Sequence, residues 1–248
     1  MAQIKVIGNY ISPYVRKVLA CLELKGLAYE IDPIAPFVGN EEFTRLSPLR
    51  RIPVLIDDGR VVNDSSVICQ YLEDKYPAIP LYPRNIDDRA HARWLEEYAD
   101  TQLANVLIWR LFYQKAIRRH IFGEPVDEAI VQQALETDIP AALDYLENQL
   151  PRDRFLFGAL SVADIAIASC FRTASFVRYE IDRTRWPRSA AFVARVLAQP
   201  VFTPLTTYEN AMLRLPLAEQ RAALLAAGAP LSEDTLGTDQ PRHGFPRS

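Results

Sequence analysis

Residues 47–71, SPLRRIPVLIDDGRVVNDSSVICQY, decide how the rest of the chain is read. Pro53 opens the apolar run Val54-Leu55-Ile56, and the turn Asp57-Asp58-Gly59 follows. A second short run, Val61-Val62, then leads to Asn63-Asp64-Ser65-Ser66 ahead of a helical pattern over Val67–Tyr76. The stretch reads as two strands and a helix. Proline cannot donate to a sheet ladder, so at the head of a strand it takes the first position, and in a tight turn it favours the cis form. A cis Ile52–Pro53 bond turns the Ile52 N–H and C=O away from the sheet, where a short extended peptide can pair with them as one more strand. Asp64, Ser65 and Ser66 stand where the N–H groups at a helix start need partners. Such an end binds carboxylates, and an aspartate beside it binds ammonium groups. Together these residues describe a site for a ligand with an amino-acid end and a peptide middle.

Upstream, Ile4–Ile7 alternates as a strand ended by Gly8-Asn9. The run from Tyr10 to Gly26 is helical, with Ser12 as N-cap, Pro13 at the first helical position and Gly26 just past the end. Ala28–Asp32 forms a second strand, and Asn40–Leu46 reads as a short acidic turn. The order is β-α-β followed by β-β-α, a thioredoxin-like domain with a right-handed crossover. On local sequence alone Ser12 is an ordinary capping hydroxyl, and Tyr10 and Tyr14 are packing aromatics.

Pro77, Pro80 and Pro83 mark a linker that ends at Asp87-Asp88, after which no strand pattern returns. The first long helix is apolar on two sides: Trp94, Tyr98, Asn105, Ile108, Trp109 and Phe112 recur on one, and Leu95, Ala99, Leu103, Val106 and Tyr113 on the other. One face packs internally and the other meets a groove or a second subunit. Pro125–Leu150 is another helix, with Ile130, Leu135, Ile139, Leu143 and Leu146 on its buried side. Ser161-Val162-Ala163-Asp164 is a capping box with Asp in place of Glu, a folding element rather than a ligand contact. Trp186-Pro187 opens a helix to Leu197, and Pro200–Met212 is the last regular element expected. Beyond Gly228 the sequence lacks any period and reads as a flexible or surface-wrapped tail.

With 28 Lys and Arg against 31 Asp and Glu, the net charge of −3 carries no long block of one sign, so nucleic acid is not an expected partner. An apolar fraction of 49% is ample for a core, while no run approaches the roughly 18 apolar residues of a membrane span. No secretory leader pattern opens the chain, which points to a cytoplasmic protein with no membrane partner. Cys21, Cys69 and Cys170 lie far apart within helical patterns and read as buried structural thiols rather than disulfide or zinc ligands.

The chain resembles the glutathione transferase superfamily over roughly residues 3–210, in both order and spacing. Ile52-Pro53 stands where that family has Val-Pro, Asp64-Ser65 where it has Glu-Ser, and Ser12-Pro13-Tyr14-Val15-Arg16 is similar to its serine-type active-site motif. Phe157-Gly158 through Asp164 resembles the signature before its central helix, with Ala159 replacing an Asp. The resemblance implies an N-terminal glutathione-binding domain over 1–80, an all-helical domain over 88–225 and a flexible tail over 226–248. It implies Ser12 as the catalytic group that donates a hydrogen bond to the glutathione sulfur, with Arg51, Ile52, Pro53, Asp64 and Ser65 binding glutathione. Arg50-Arg51 replaces the family's Gly-Lys pair. For the electrophile site it implies Asn105, Trp109 and Phe112, with Tyr10 and Tyr14 as residues that could also activate the thiol. Glutathione is then a cosubstrate, no metal is required, the electrophile is a hydrophobic small molecule, and the assembly is a homodimer. Glutathione-dependent peroxidase, reductase, dehalogenase or isomerase chemistry, or a non-catalytic interaction module, are the alternatives on the same fold.

Overall fold

β1 (Ile4–Ile7), β2 (Tyr29–Asp32), β3 (Val54–Asp57) and β4 (Arg60–Asn63) form one sheet in the order β2-β1-β3-β4. The computed structural model describes residues 4–238 and 241–242. β1 runs parallel to β2 and antiparallel to β3, which runs antiparallel to β4. The β3–β4 turn needs two left-handed residues, and Asp58 (φ 50°) and Gly59 (φ 79°) supply them. α1 (Pro13–Lys25) joins the parallel strands, with Ser12 as N-cap, Pro13 in the first turn and Gly26 left-handed at φ 65°. α3 (Ser65–Lys75) follows β4. The expected acidic turn is instead a short helix, α2 (Glu41–Leu46), because the Asn40 side chain caps it by accepting from the Phe43 N–H at 3.0 Å.

α1 and α3 are joined by three rungs that keep their N-terminal ends at the same level. The Lys17 ammonium donates to the Ser66 hydroxyl at 3.0 Å, the Cys21 and Cys69 sulfurs lie 3.7 Å apart, and Lys25 pairs with Glu73 at 3.2 Å. All three cysteines are buried thiols outside any disulfide, as expected.

Gly8 is the point where β1, α1 and the Ile52–Pro53 turn converge. A Cβ there would lie 2.5 Å from Val15 Cγ2 and 3.3 Å from Ile52 Cβ, at a φ of +154° that suits glycine. Gly8→Ala is therefore expected to destabilise the fold by roughly 2 kcal/mol or more. Overpacking costs about 1–3 kcal/mol and the backbone conformation about 1–3 kcal/mol more. An unchanged urea midpoint would remove Gly8 from this role.

The chain divides into two compact units: the described residues through Ile79 together with those from Pro200 onward, and Pro80–Gln199. Residues 200–225, expected within the helical domain, thus belong to the unit that holds the sheet and pack against α1. The cause is a set of buried contacts from α9 (Thr203–Met212): Arg16 pairs with Glu209, both side chains 1% exposed, and the Tyr10 and Tyr208 rings lie 5.2 Å apart. One more helix than expected, α10 (Leu217–Ala226), follows; its Leu- and Ala-rich sequence is strongly helix-forming. The described part of the tail is not a free segment either. Its backbone pairs with β2 and the loop after it, with the Ile31 N–H donating to the Pro230 carbonyl at 2.8 Å and the Ser232 N–H to the Ile31 carbonyl at 3.0 Å.

In the second unit, α4 (Ile86–Tyr98) continues into wide π-type turns over Ala99–Arg118. Within the wide turns Ile108 and Phe112 are buried while Asn105 and Trp109 are exposed, as is Trp94 in α4, so the two-faced pattern does not present one uniform outer surface. A second helical run holds α5 (Glu128–Gln133) and α6 (Ile139–Gln149). Along it Val131 and Ala134 are buried, while Leu135 is exposed contrary to expectation. α7 (Val162–Ser175) is buried nearly all round, and α8 (Pro187–Leu197) packs on it. Asp164 accepts from the Ser161 N–H at 2.8 Å and the Leu156 N–H at 2.9 Å, which completes the capping box. Burial pushes this carboxyl above its ordinary value against those hydrogen bonds.

Candidate active site

Ser12 ends a short loop that is held from several sides. Its N–H donates to the Asn9 carbonyl at 3.1 Å, and the Asn9 side chain accepts from the Ile11 N–H at 2.9 Å. The buried Arg16 guanidinium donates to the carbonyls of Tyr10 at 3.2 Å and Ile11 at 3.3 Å, and Glu209 balances its charge. The Ser12 oxygen accepts from the Val15 N–H at 3.4 Å, a long bond. Capping uses an acceptor site of the hydroxyl, so its proton stays available to a ligand. The capping and the chemical reading of Ser12 are thus compatible, and the N-terminus of α1 adds a partial positive charge beside it.

Ile52, across Gly8 from α1, is half-buried, and its peptide bond to Pro53 is cis as expected. Among the described residues neither its N–H nor its C=O has a hydrogen-bond partner. At the mouth of α3, the exposed Asp64 sits at φ 74° and accepts from the N–H groups of Ser66 at 2.9 Å and Val67 at 3.2 Å, and Ser65 is buried. A non-glycine residue at positive φ is sparsely populated and persists when its surroundings hold it there. The rung from Lys17 to Ser66 sets this mouth level with the start of α1.

Arg50 and Arg51 differ in use. Arg50 takes the left-handed conformation (φ 49°) and spends its guanidinium inward, on the carbonyls of Pro36 at 3.1 Å and Gly39 at 2.8 Å and on the Thr44 hydroxyl. Arg51 is exposed, with its N–H held by the Ser47 hydroxyl oxygen at 2.9 Å. Ser12, Arg51, Ile52, Pro53, Asp64 and Ser65 all belong to the first unit.

Tyr10 does not face a ligand. It is 1% exposed, packed on Tyr208, and its phenol is pushed well above the ordinary value by burial first and by Tyr208 and Glu23 next. Tyr14 is half-buried. In the second unit, Trp109 (42% exposed) and Asn105 are open to solvent, whereas Phe112 (8%) packs inward against Phe176 with ring centroids 6.5 Å apart. Sequence reasoning gave no role in the site to Asn9, Lys17 or Glu209. A lysine inside an apolar helical stretch was the one visible sign, since a buried ammonium needs a partner.

Residues 6–80 match the domain family described as glutathione S-transferase, N-terminal domain, and residues 112–195 match glutathione S-transferase, C-terminal domain. Glutathione S-transferase 3 of Zea mays is 30% identical over 210 residues, which cover 82% of this chain and 92% of the maize protein. A glutathione S-transferase structure from Rhodospirillum rubrum F11 superposes with a TM-score of 0.74 at 28% identity, covering 82% of this chain and 91% of that one. Another, from Methylobacterium radiotolerans JCM 2831 in complex with glutathione sulfonate, gives 0.66 at 28% identity, covering 81% and 92%. The chain belongs to the glutathione S-transferase family.

Proposed function

We propose that the protein binds glutathione in the first unit, holds its sulfur as the thiolate, and adds that sulfur to an electrophilic carbon of a hydrophobic small molecule. The observation that carries this reading is the meeting of three features in one unit: the Ser12 hydroxyl at the start of α1, the unpaired Ile52 main chain, and the Asp64-Ser65 mouth of α3. The α3 mouth takes the γ-glutamyl end, with the Ser65 N–H and hydroxyl on the carboxylate and Asp64 on the ammonium. Ile52 pairs with the cysteine residue as an added strand, beside Pro53. Arg51 takes the glycine carboxylate. The sulfur then lies at Ser12, where the donated hydroxyl proton and the helix N-terminus both favour the anion.

A free thiol with a pKa of about 8.5 is mostly protonated at neutral pH, so lowering it raises the nucleophilic fraction. The thiolate attacks carbon, the leaving group departs with the bonding electrons, and the thioether product carries no charge on sulfur. Asn105 and Trp109 are the residues of the second unit proposed to bind the electrophile, both exposed there. A cytoplasmic homodimer belongs to the same proposal.

Asp64 separates binding from folding. Asp64→Asn keeps a capping oxygen and a residue type that tolerates positive φ, yet removes the charge on the ammonium. Its glutathione dissociation constant is expected to rise about tenfold, since a hydrogen bond to a charged group is worth about 1.5–3 kcal/mol, while the melting temperature moves little. Calorimetric affinity equal to the parent's would take Asp64 out of the site.

A further inference from the structure

The C-terminal segment grips the loop that leads to Arg51. Beside β2 it forms a parallel bridge between Leu231 and Ile31. Asp32, fully buried, then gathers it by accepting from the Thr235 hydroxyl at 2.8 Å and the Leu236 N–H at 2.7 Å, with the Arg221 guanidinium 3.6 Å away. From there the segment runs antiparallel to the loop between β2 and α2. The Asn40 N–H donates to the Leu236 carbonyl at 2.8 Å, the Thr238 N–H to the Val38 carbonyl at 2.7 Å, and the Arg242 N–H to the Phe37 carbonyl at 2.8 Å. Arg242 also pairs with Glu41, the first residue of α2, at 2.6 Å. Arg50 holds the same loop through the Pro36 and Gly39 carbonyls.

We propose that this segment is a positioning element for the glycine end of glutathione: it fixes the 36–41 loop, the loop fixes Arg50, and Arg50 fixes the backbone that presents Arg51. The inference rests on the glutathione reading above. A loop already ordered before binding loses less freedom when the ligand arrives, so the gain is felt at the subsite the loop forms and not at the distant γ-glutamyl subsite.

Gly237→Val in the full chain tests this. The backbones approach closely at Gly39 and Gly237, and a Cβ on Gly237 would lie 3.0 Å from Ile34 Cγ2 and 3.2 Å from Thr235 Oγ1, so a branched side chain pushes the segment off. Glutathione and γ-glutamylcysteine, which lacks the glycine and its carboxylate, serve as calorimetric probes. The variant is expected to weaken glutathione about five- to tenfold and γ-glutamylcysteine less than about twofold, as free energies of about 1–1.4 and under 0.4 kcal/mol. Arg242→Ala should change the ratio in the same direction by a smaller factor. Equal losses for both probes, or none for either, would overturn the proposal. If Gly237→Val does not fold, Thr235→Val with Arg242→Ala decides by the same ratio. A parent protein that binds neither probe overturns the glutathione reading instead, so the two failures are distinct.

Discussion

Ser12→Ala is expected to slow conjugation about ten- to hundredfold at neutral pH while leaving glutathione affinity nearly intact. The hydroxyl donates one hydrogen bond to a charged sulfur, worth about 1.5–3 kcal/mol, and that corresponds to roughly one to two units of thiol pKa. Below that pKa the thiolate fraction falls in proportion, so most of the lost rate should return at high pH. Loss of the cap is a separate and smaller effect: an N-cap serine contributes about 0.5–2 kcal/mol, and the long 3.4 Å bond to the Val15 N–H places Ser12 at the low end. Ser12→Cys makes the converse test, because a thiolate there should attack added glutathione disulfide, forming a mixed disulfide and releasing one glutathione, which the parent serine cannot do. If Ser12→Ala keeps the parent's pH–rate profile, Tyr14 is the next residue to replace, since Tyr10 is enclosed against Tyr208.

Glu209→Ala should cost about 3–5 kcal/mol of stability, the largest effect expected for any single replacement discussed. Arg16 and Glu209 are both 1% exposed, and removing one partner leaves a buried charge without its complement. The same guanidinium donates to the Tyr10 and Ile11 carbonyls, so the loop that delivers Ser12 loosens with it. Arg16→Met added to Glu209→Ala removes the orphaned charge and should recover much of the stability, because apolar residues often replace a buried pair at little cost. It should not recover activity, since the loop that delivers Ser12 then loses the Arg16 donor to the Tyr10 and Ile11 carbonyls. A denaturation midpoint for Glu209→Ala within about 0.5 kcal/mol of the parent, the usual range for a surface replacement, would contradict the buried-pair account.

The first 76 residues were legible because local chemistry and global pattern agree there. Pro53, Gly59, Asp64, Ser12 and Gly26 each sit where a turn or a cap requires that residue type, and the structure uses each one there. The cis Ile52–Pro53 bond and the capping role of Asp64 followed from the same local rules. Other features depend on partners far along the chain, and no local rule carries them. Arg16 meets Glu209 across 193 positions, and Asp32 meets Thr235 across 203, so neither pairing leaves a periodic trace. The tail looked unstructured because its order comes from pairing with β2, not from any period of its own. Phe112 and Leu135 were placed by a 3.6-residue period that does not hold through the π-type stretches over Ala99–Arg118 and Ala134–Asp138. Tyr10 packs under α9 as its local sequence reading has it, and the role beside the thiol that the family resemblance implied for it finds it enclosed.

The central claim is that this unit binds glutathione and stabilises its sulfur anion. Ultraviolet difference titration of the thiolate of glutathione bound to the unmodified protein tests it most directly. The bound thiol is predicted to titrate roughly one to two units below the free thiol, with Ser12→Ala moving it back toward the free value. A bound thiol that titrates as it does in free solution, or glutathione that does not bind at all, would contradict the account.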